Sequence, residues 1–62
     1  MIGRDLRRLR DRPGVVFAEL FYCHLGWRVA LTYHDNGRRL IGAGSTPREA
    51  LRNARRTLEA DG

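Results

Sequence analysis

Sixty-two residues make one domain, and at this length only about 60% of the unfolded chain's surface can be buried, so stability calls for a disulfide, a metal or a second chain. Cys23 is the only cysteine, which excludes an intramolecular disulfide and a thiolate-rich zinc site and leaves self-association, or docking on a larger assembly, as the expected support. The formal charge is +5 and all twelve basic residues are arginine, whose planar guanidinium suits phosphate and carboxylate, so the expected partner is anionic: a nucleic acid or an acidic protein.

Taken in chain order, residues 2–12 place Ile2, Leu6 and Leu9 at helical spacing among charges, an amphipathic segment too short to persist unless docked. Pro13-Gly14 ends it. The run 15–25, VVFAELFYCHL, is rich in β-branched and aromatic residues and reads as a strand. Leu25-Gly26 is expected to turn it into 27–34, where Trp27, Val29, Leu31 and Tyr33 alternate with Arg28, Ala30, Thr32 and His34, the pattern of a half-buried antiparallel strand. Asn36-Gly37 is the preferred centre of a two-residue hairpin loop, leading into a third strand from Arg39 to Ala43. That register sets Tyr33 opposite Leu40, Leu31 opposite Gly42 and Val29 opposite Gly44, with both glycines on the core face, where a helix can approach closely. Thr46 caps a final helix, Pro47 suits its first position and Glu49 completes a capping box. Its apolar stripe is Ala50, Leu51, Ala54 and Leu58; Arg48, Arg52 and Arg55 line the other side with Arg56 flanking, and Asp61-Gly62 reads as a frayed end. The predicted fold is α+β: a small antiparallel three-stranded sheet with a C-terminal helix on one face, αβββα or βββα, in a single domain 1–62 made of an amphipathic segment 1–13 and a core 14–62.

The alternation assigns two faces. Val16, Ala18, Leu20 and Tyr22 share the covered face with Trp27, Val29, Leu31 and Tyr33. The other carries Phe17, Glu19, Phe21 and Cys23 beside Ala30, Thr32, Ile41 and Ala43. Phe17, Phe21 and Ile41 are too apolar for a plain solvent face. The N-terminal helix covers them, or a second subunit does, or they form a binding surface; self-association, as a homodimer, or docking on a partner through this patch is the expectation.

Nothing in the chain supports catalysis. Cys23, His24 and His34 are the only trio with reactive or metal-binding character, yet adjacent strand residues point to opposite faces, and no carboxylate stands at ligand spacing. No cofactor and no metal are expected, and the chain is not read as an enzyme. Gly42-Ala43-Gly44 ahead of a helix lacks the third glycine, the lysine and the βαβ context of a phosphate loop; close sheet–helix packing explains it. No apolar run is long enough to cross a bilayer and residues 1–12 lack an apolar leader core, so no membrane partner and a cytoplasmic location are expected.

The order helix–strand–strand–strand–helix, closing on NGRRLIGAGSTPREALRNA, resembles the double-stranded RNA-binding domain, which ends its third strand in Gly-x-Gly and opens its last helix with a basic turn and an Ala-rich stripe. Gly42, Gly44, Ser45, Ala50 and Ala54 match in kind; Thr46-Pro47-Arg48-Glu49 stands where the family has its lysine pair, leaving Arg48 alone there. The same ending is similar to the antitoxin partner domain of HicB-type systems. The first resemblance implies phosphate contacts at the start of the last helix, the second a protein partner. The expected activity is phosphate binding, RNA favoured over DNA, by Arg48, Arg52, Arg55 and Arg56 with Arg38, Arg39, Arg7 and Arg8; the alternative is a protein-interaction module, such as an antitoxin-like regulator or a small phage- or plasmid-encoded inhibitor. A solvated helix face is the plain explanation of the same arginines.

Overall fold

In the computed structural model of the chain, residues 2–61 are described. The elements are α1 (Ile2–Arg10), β1 (Val15–Cys23), β2 (Gly26–Tyr33), β3 (Gly37–Gly44) and α2 (Pro47–Asp61). The place expected for the Ile2 side chain, and the part of the frayed end that falls on Gly62, lie outside the described residues.

The sheet is antiparallel in the order β1-β2-β3, with β2 in the centre. The two helices lie side by side on one face: Leu9 of α1 and Ala50, Leu51, Ala54 and Leu58 of α2 share one buried cluster with Ala18, Val29, Leu31 and Ile41. Leu31 and Val29 are fully buried, as the alternation of β2 requires, and Leu6, Val15, Leu20, Trp27 and Tyr33 pack around them. Burial of a leucine of this kind contributes about 1.5–3 kcal/mol. The α1–β1 link is fastened to the sheet where the His34 N–H donates to the Gly14 carbonyl at 2.9 Å.

Four departures from the expected registers matter. The β1–β2 turn is His24-Leu25, with Cys23 opposite Gly26, instead of Leu25-Gly26; the pairing moves by two residues, so the faces are kept. A bulge between Val15 and Phe17 then turns Val16 out (56% exposed) and puts Val15 on the core face. Tyr22 keeps its face but extends past the helices, its ring edge-on to Trp27 at 5.2 Å.

At the second hairpin Tyr33 pairs with Gly37, so three residues, His34 to Asn36, make the turn, and Gly37 takes φ +74°. Opposite β2, the register shifts between Val29 and Ala30: Val29 faces Gly42, Ala30 faces Leu40. Ile41 is the extra residue. A strand's side chains alternate, so one inserted residue restores Gly42 and Gly44 to the helix face while sending Leu40 and Arg38 to the other. Ile41 itself is buried in the core at 8% exposure, and Leu40 is 61% exposed. The expectation that Ile41 contributes to the outer apolar patch is therefore corrected; Leu40 takes that place.

Gly42 and Gly44 are where α2 meets the sheet backbone to backbone. A Cβ on Gly42 would stand 2.5 Å from the Ala50 carbonyl oxygen and 2.8 Å from the Ala54 nitrogen, and one on Gly44 2.6 Å from the Ala50 nitrogen. The Gly42-Ala43-Gly44 run is thus spent on close packing, and the Asn53 amide adds a tether by donating to the Ala43 carbonyl at 2.7 Å.

Candidate nucleic-acid interface

The start of α2 shows its local logic directly. Thr46 Oγ1 accepts from the Glu49 N–H at 3.1 Å, as an N-cap should. The Glu49 carboxylate reaches back to the Ser45 N–H and hydroxyl, both at 3.4 Å, one residue earlier than in the usual reciprocal box. A bare helix start attracts anions through its unpaired N–H groups and dipole. Here the protein's own carboxylate occupies that position, so the phosphate contact implied at the first turn meets a resident anion, and Arg48 stands beside it on the exposed side.

Away from that turn the helical layer is strongly basic. Arg4, Arg7, Arg8, Arg10 and Arg12 lie in or just after α1, and Arg48, Arg52, Arg55 and Arg56 in α2; all nine are exposed. They are nine of the chain's twelve arginines against five of its seven acids, which places four of the five net positive charges in this layer. None of the nine makes an ion pair among the described residues. Arg48, Arg52 and Arg55 recur at i, i+4 and i+7 along one side of α2. Arg55 meets Arg8 and Arg12 across a shallow groove of about 240 Å³ between the helices, floored by Leu9 and Leu58 and flanked by Asp5 and Glu59. Arg12 was absent from the residues singled out in the sequence, though its spacing of four from Arg8 signals it.

Other arginines lie away from this groove. Arg7 points to the β1 side of α1, where with Arg10 it borders a second groove reaching Phe17. Arg39, opposite Leu31, is exposed on edge strand β3. Arg38 lies on the open face of the sheet, where its Nε donates to Glu19 Oε1 at 2.5 Å and its guanidinium carbon lies 5.1 Å from the Phe21 ring centroid. Arg28 folds back, donating to the Trp27 carbonyl at 2.9 Å and the Leu25 carbonyl at 3.0 Å.

On that open face Phe17 is 54% exposed and Phe21 half-buried. α1 joins α2 on the covered face and meets this face only at its β1 edge, where Phe17 borders a groove with Leu6, Arg7 and Arg10 yet stays 54% exposed. The Cys/His trio is dispersed: Cys23 Sγ contacts the Gly26 carbonyl at 3.5 Å and His24 is exposed at one end of β2, while His34, 3.3 Å from Asp35, is at the other. No group of three or more His, Cys, Asp or Glu residues is placed to hold a metal among the described residues, and no helix among them is long and apolar enough to cross a membrane.

Compared with protein-family models, with curated proteins and with solved structures, the chain matches none. Any functional reading therefore rests on the residues and their arrangement.

Proposed function

We propose that this chain is a small nucleic-acid-binding module that holds phosphates on the arginines of its helical layer. The observation that carries the reading is the gathering of nine exposed arginines, unpaired among the described residues, in the helical layer: eight on α1 and α2, and Arg12 just after α1. Guanidinium groups spaced along a helix suit a line of phosphates, and such contacts read backbone shape more than sequence. The preference for structured RNA over DNA rests on the resemblance to the double-stranded RNA-binding domain, whose element order this chain shares. Because Glu49 fills the first turn of α2, the phosphates run along Arg48, Arg52 and Arg55 toward Arg8 and Arg12, beside that turn instead of on it.

The test is a titration of duplex RNA, single-stranded RNA and duplex DNA at several salt concentrations. Binding should weaken steeply with salt, with a log–log slope of about −0.9 per phosphate contacted on duplex DNA. Replacing Arg48, Arg52 and Arg55 together by Ala should lower affinity for all sequences alike and leave the far-UV spectrum unchanged, since none faces the core. No affinity for any of the three nucleic acids at low salt sinks the reading.

A second reading is favoured by a different observation, the exposed Phe17 and Leu40 on the open sheet face: a protein-interaction module that binds a partner there, with charge in support. Capture of a partner that survives nuclease treatment, by wild type but not by a Phe17→Asp variant, would decide for it.

A further inference from the structure

We infer that the open face of the sheet is covered by a second copy of this chain, packed sheet against sheet about a two-fold axis. Read across β1, β2 and β3, the face is built of the rows Phe17–Thr32–Arg38, Glu19–Ala30–Leu40 and Phe21–Arg28–Ala43, with Ala30 at its centre already buried. Its apolar members Phe17 and Leu40 are 54% and 61% exposed, and they belong to the two outer strands. Phe21 adds a half-buried ring. A chain this short gains stability from covering such a surface.

Charge selects the occupant. Each chain carries +5, and four of those charges are in the helical layer, so two copies repel when helices approach helices or helices approach sheet. The centre of the open face is neutral, because Arg38 is paired with Glu19. Arg28, the other cation there, is turned onto carbonyls at the β1–β2 turn. A two-fold axis sets the same patch against itself, and this patch holds one donor and one acceptor in equal number. Arg38 uses only Nε within the chain, and Glu19 only Oε1, among the described residues. The free Nη groups and Oε2 can bond across the interface, which turns two exposed pairs into one cluster of four groups. The molecule's outline, 29 × 22 × 21 Å, limits the contact to the small end of specific interfaces, near or below about 800 Å² per partner. The dimer is accordingly reversible, and it directs both arginine layers outward.

The inference is independent of phosphate binding, and its test separates the two. Sedimentation equilibrium is run on the full chain from about 1 μM to about 1 mM, the range over which a small interface dissociates. Wild type should pass from monomer to twice the monomer mass. Glu19→Arg and Arg38→Glu should each stay monomeric, because every copy then presents like charges at the axis. Mixed in equal amounts, the two variants should recover the doubled mass, since their charges are complementary only between chains. Leu40→Ser, at a side chain already exposed, provides a variant whose folding is not in question and should also lose the dimer. The triple change of Arg48, Arg52 and Arg55 to Ala should retain it, whatever it does to nucleic acid. A wild type that remains monomeric throughout overturns the inference. So does a Leu40→Ser protein that dimerises like wild type, or a variant mixture that stays monomeric while both partners show the wild-type far-UV spectrum.

Discussion

The two faces of the sheet come from the same three strands and end up chemically opposite. On the covered face Gly42 and Gly44 have no side chain at all, and Ala50 and Ala54 of α2 come down onto them, so contact is made by backbone and methyl groups. On the open face the residues on the other side of the bulge, Leu40 and Arg38, are long and exposed. The helices and the turn after α1 then add nine arginines to the outside of the covered face, while the open face neutralises its own Arg38 with Glu19. The bulge at Ile41 is what lets one strand serve both purposes. Without it, Arg38 and Leu40 would fall on the same face as Gly42 and Gly44 along β3. In this domain closeness of packing and charge are thus both sorted by face, and substitutions can be chosen to break one side and leave the other.

The largest expected effect is on the covered face. Leu31 is fully buried at the centre of β2, beneath the helices. Leu31→Ala should cost about 2–5 kcal/mol, a large share of the roughly 3–9 kcal/mol expected for a domain of this size, so its unfolding midpoint should fall far below that of wild type. Urea or thermal unfolding followed by circular dichroism checks this; a midpoint near that of wild type would show that Leu31 is not in the core.

Next in size is a pair of side-chain enlargements one residue apart. At Gly42 the new Cβ would lie 2.5 Å from a carbonyl oxygen of α2, so helix and sheet must separate. Gly42→Ala should lose about 1–3 kcal/mol by overpacking, although alanine otherwise restricts the unfolded chain and helps folding. Ala43 is exposed and points to the open face, so Ala43→Val should stay within about 0.5 kcal/mol of wild type. Equal denaturant midpoints for the two variants would remove the asymmetry claimed for the sheet.

Much of the covered face was legible because it obeys period-2 and period-3.6 patterning. Trp27, Val29, Leu31 and Tyr33 alternate, and Ala50, Leu51, Ala54 and Leu58 form a stripe, so their meeting follows from the residues alone. The Thr46–Glu49 cap was legible for a similar reason: its partners are local. What eluded the sequence was set by backbone irregularity. Asn36-Gly37 signals a two-residue loop, but the chain makes a three-residue turn, with the positive φ placed on Gly37. That choice and the bulge at Ile41 together decide whether Leu40 or Ile41 is buried, and neither has a local residue signature: both are settled by how well Ile41 fits beneath α2. Among the candidate site residues, the arginines of α2 fall on one side as helical spacing demands. That Arg38 belongs to the opposite face and is already paired depends on β3 register, which spacing alone does not reveal. The position of α1 beside α2 was equally hidden, since an amphipathic helix can pack on either side of a sheet.

The smallest expected effect separates the two populations of arginine. Arg38 and Arg52 are both exposed, yet they differ in surroundings: Arg38 bonds Glu19 and lies over the Phe21 ring, while Arg52 makes neither an ion pair nor a ring contact among the described residues. An exposed ion pair contributes about 0.2–1 kcal/mol, and an exposed guanidinium over a ring about 0.5–1 kcal/mol. With its side chain 53% exposed, Arg38 is well screened by solvent, so Arg38→Ala should lower stability by about 1 kcal/mol or less. Arg52→Ala removes one like charge from a crowded layer and should leave stability unchanged or raise it slightly. Salt provides the sharper reading. Added salt weakens an attractive pair and relieves repulsion, so the difference in unfolding free energy between Arg38→Ala and Arg52→Ala should shrink as ionic strength rises. Nucleic-acid affinity should order the same two variants the other way, with Arg52→Ala the weaker binder. These measurements are made at concentrations where the chain is monomeric, so that loss of a dimer contact does not enter. If both arginines change stability and affinity alike, the division of the molecule into a phosphate-holding layer and a self-neutralised sheet face does not hold.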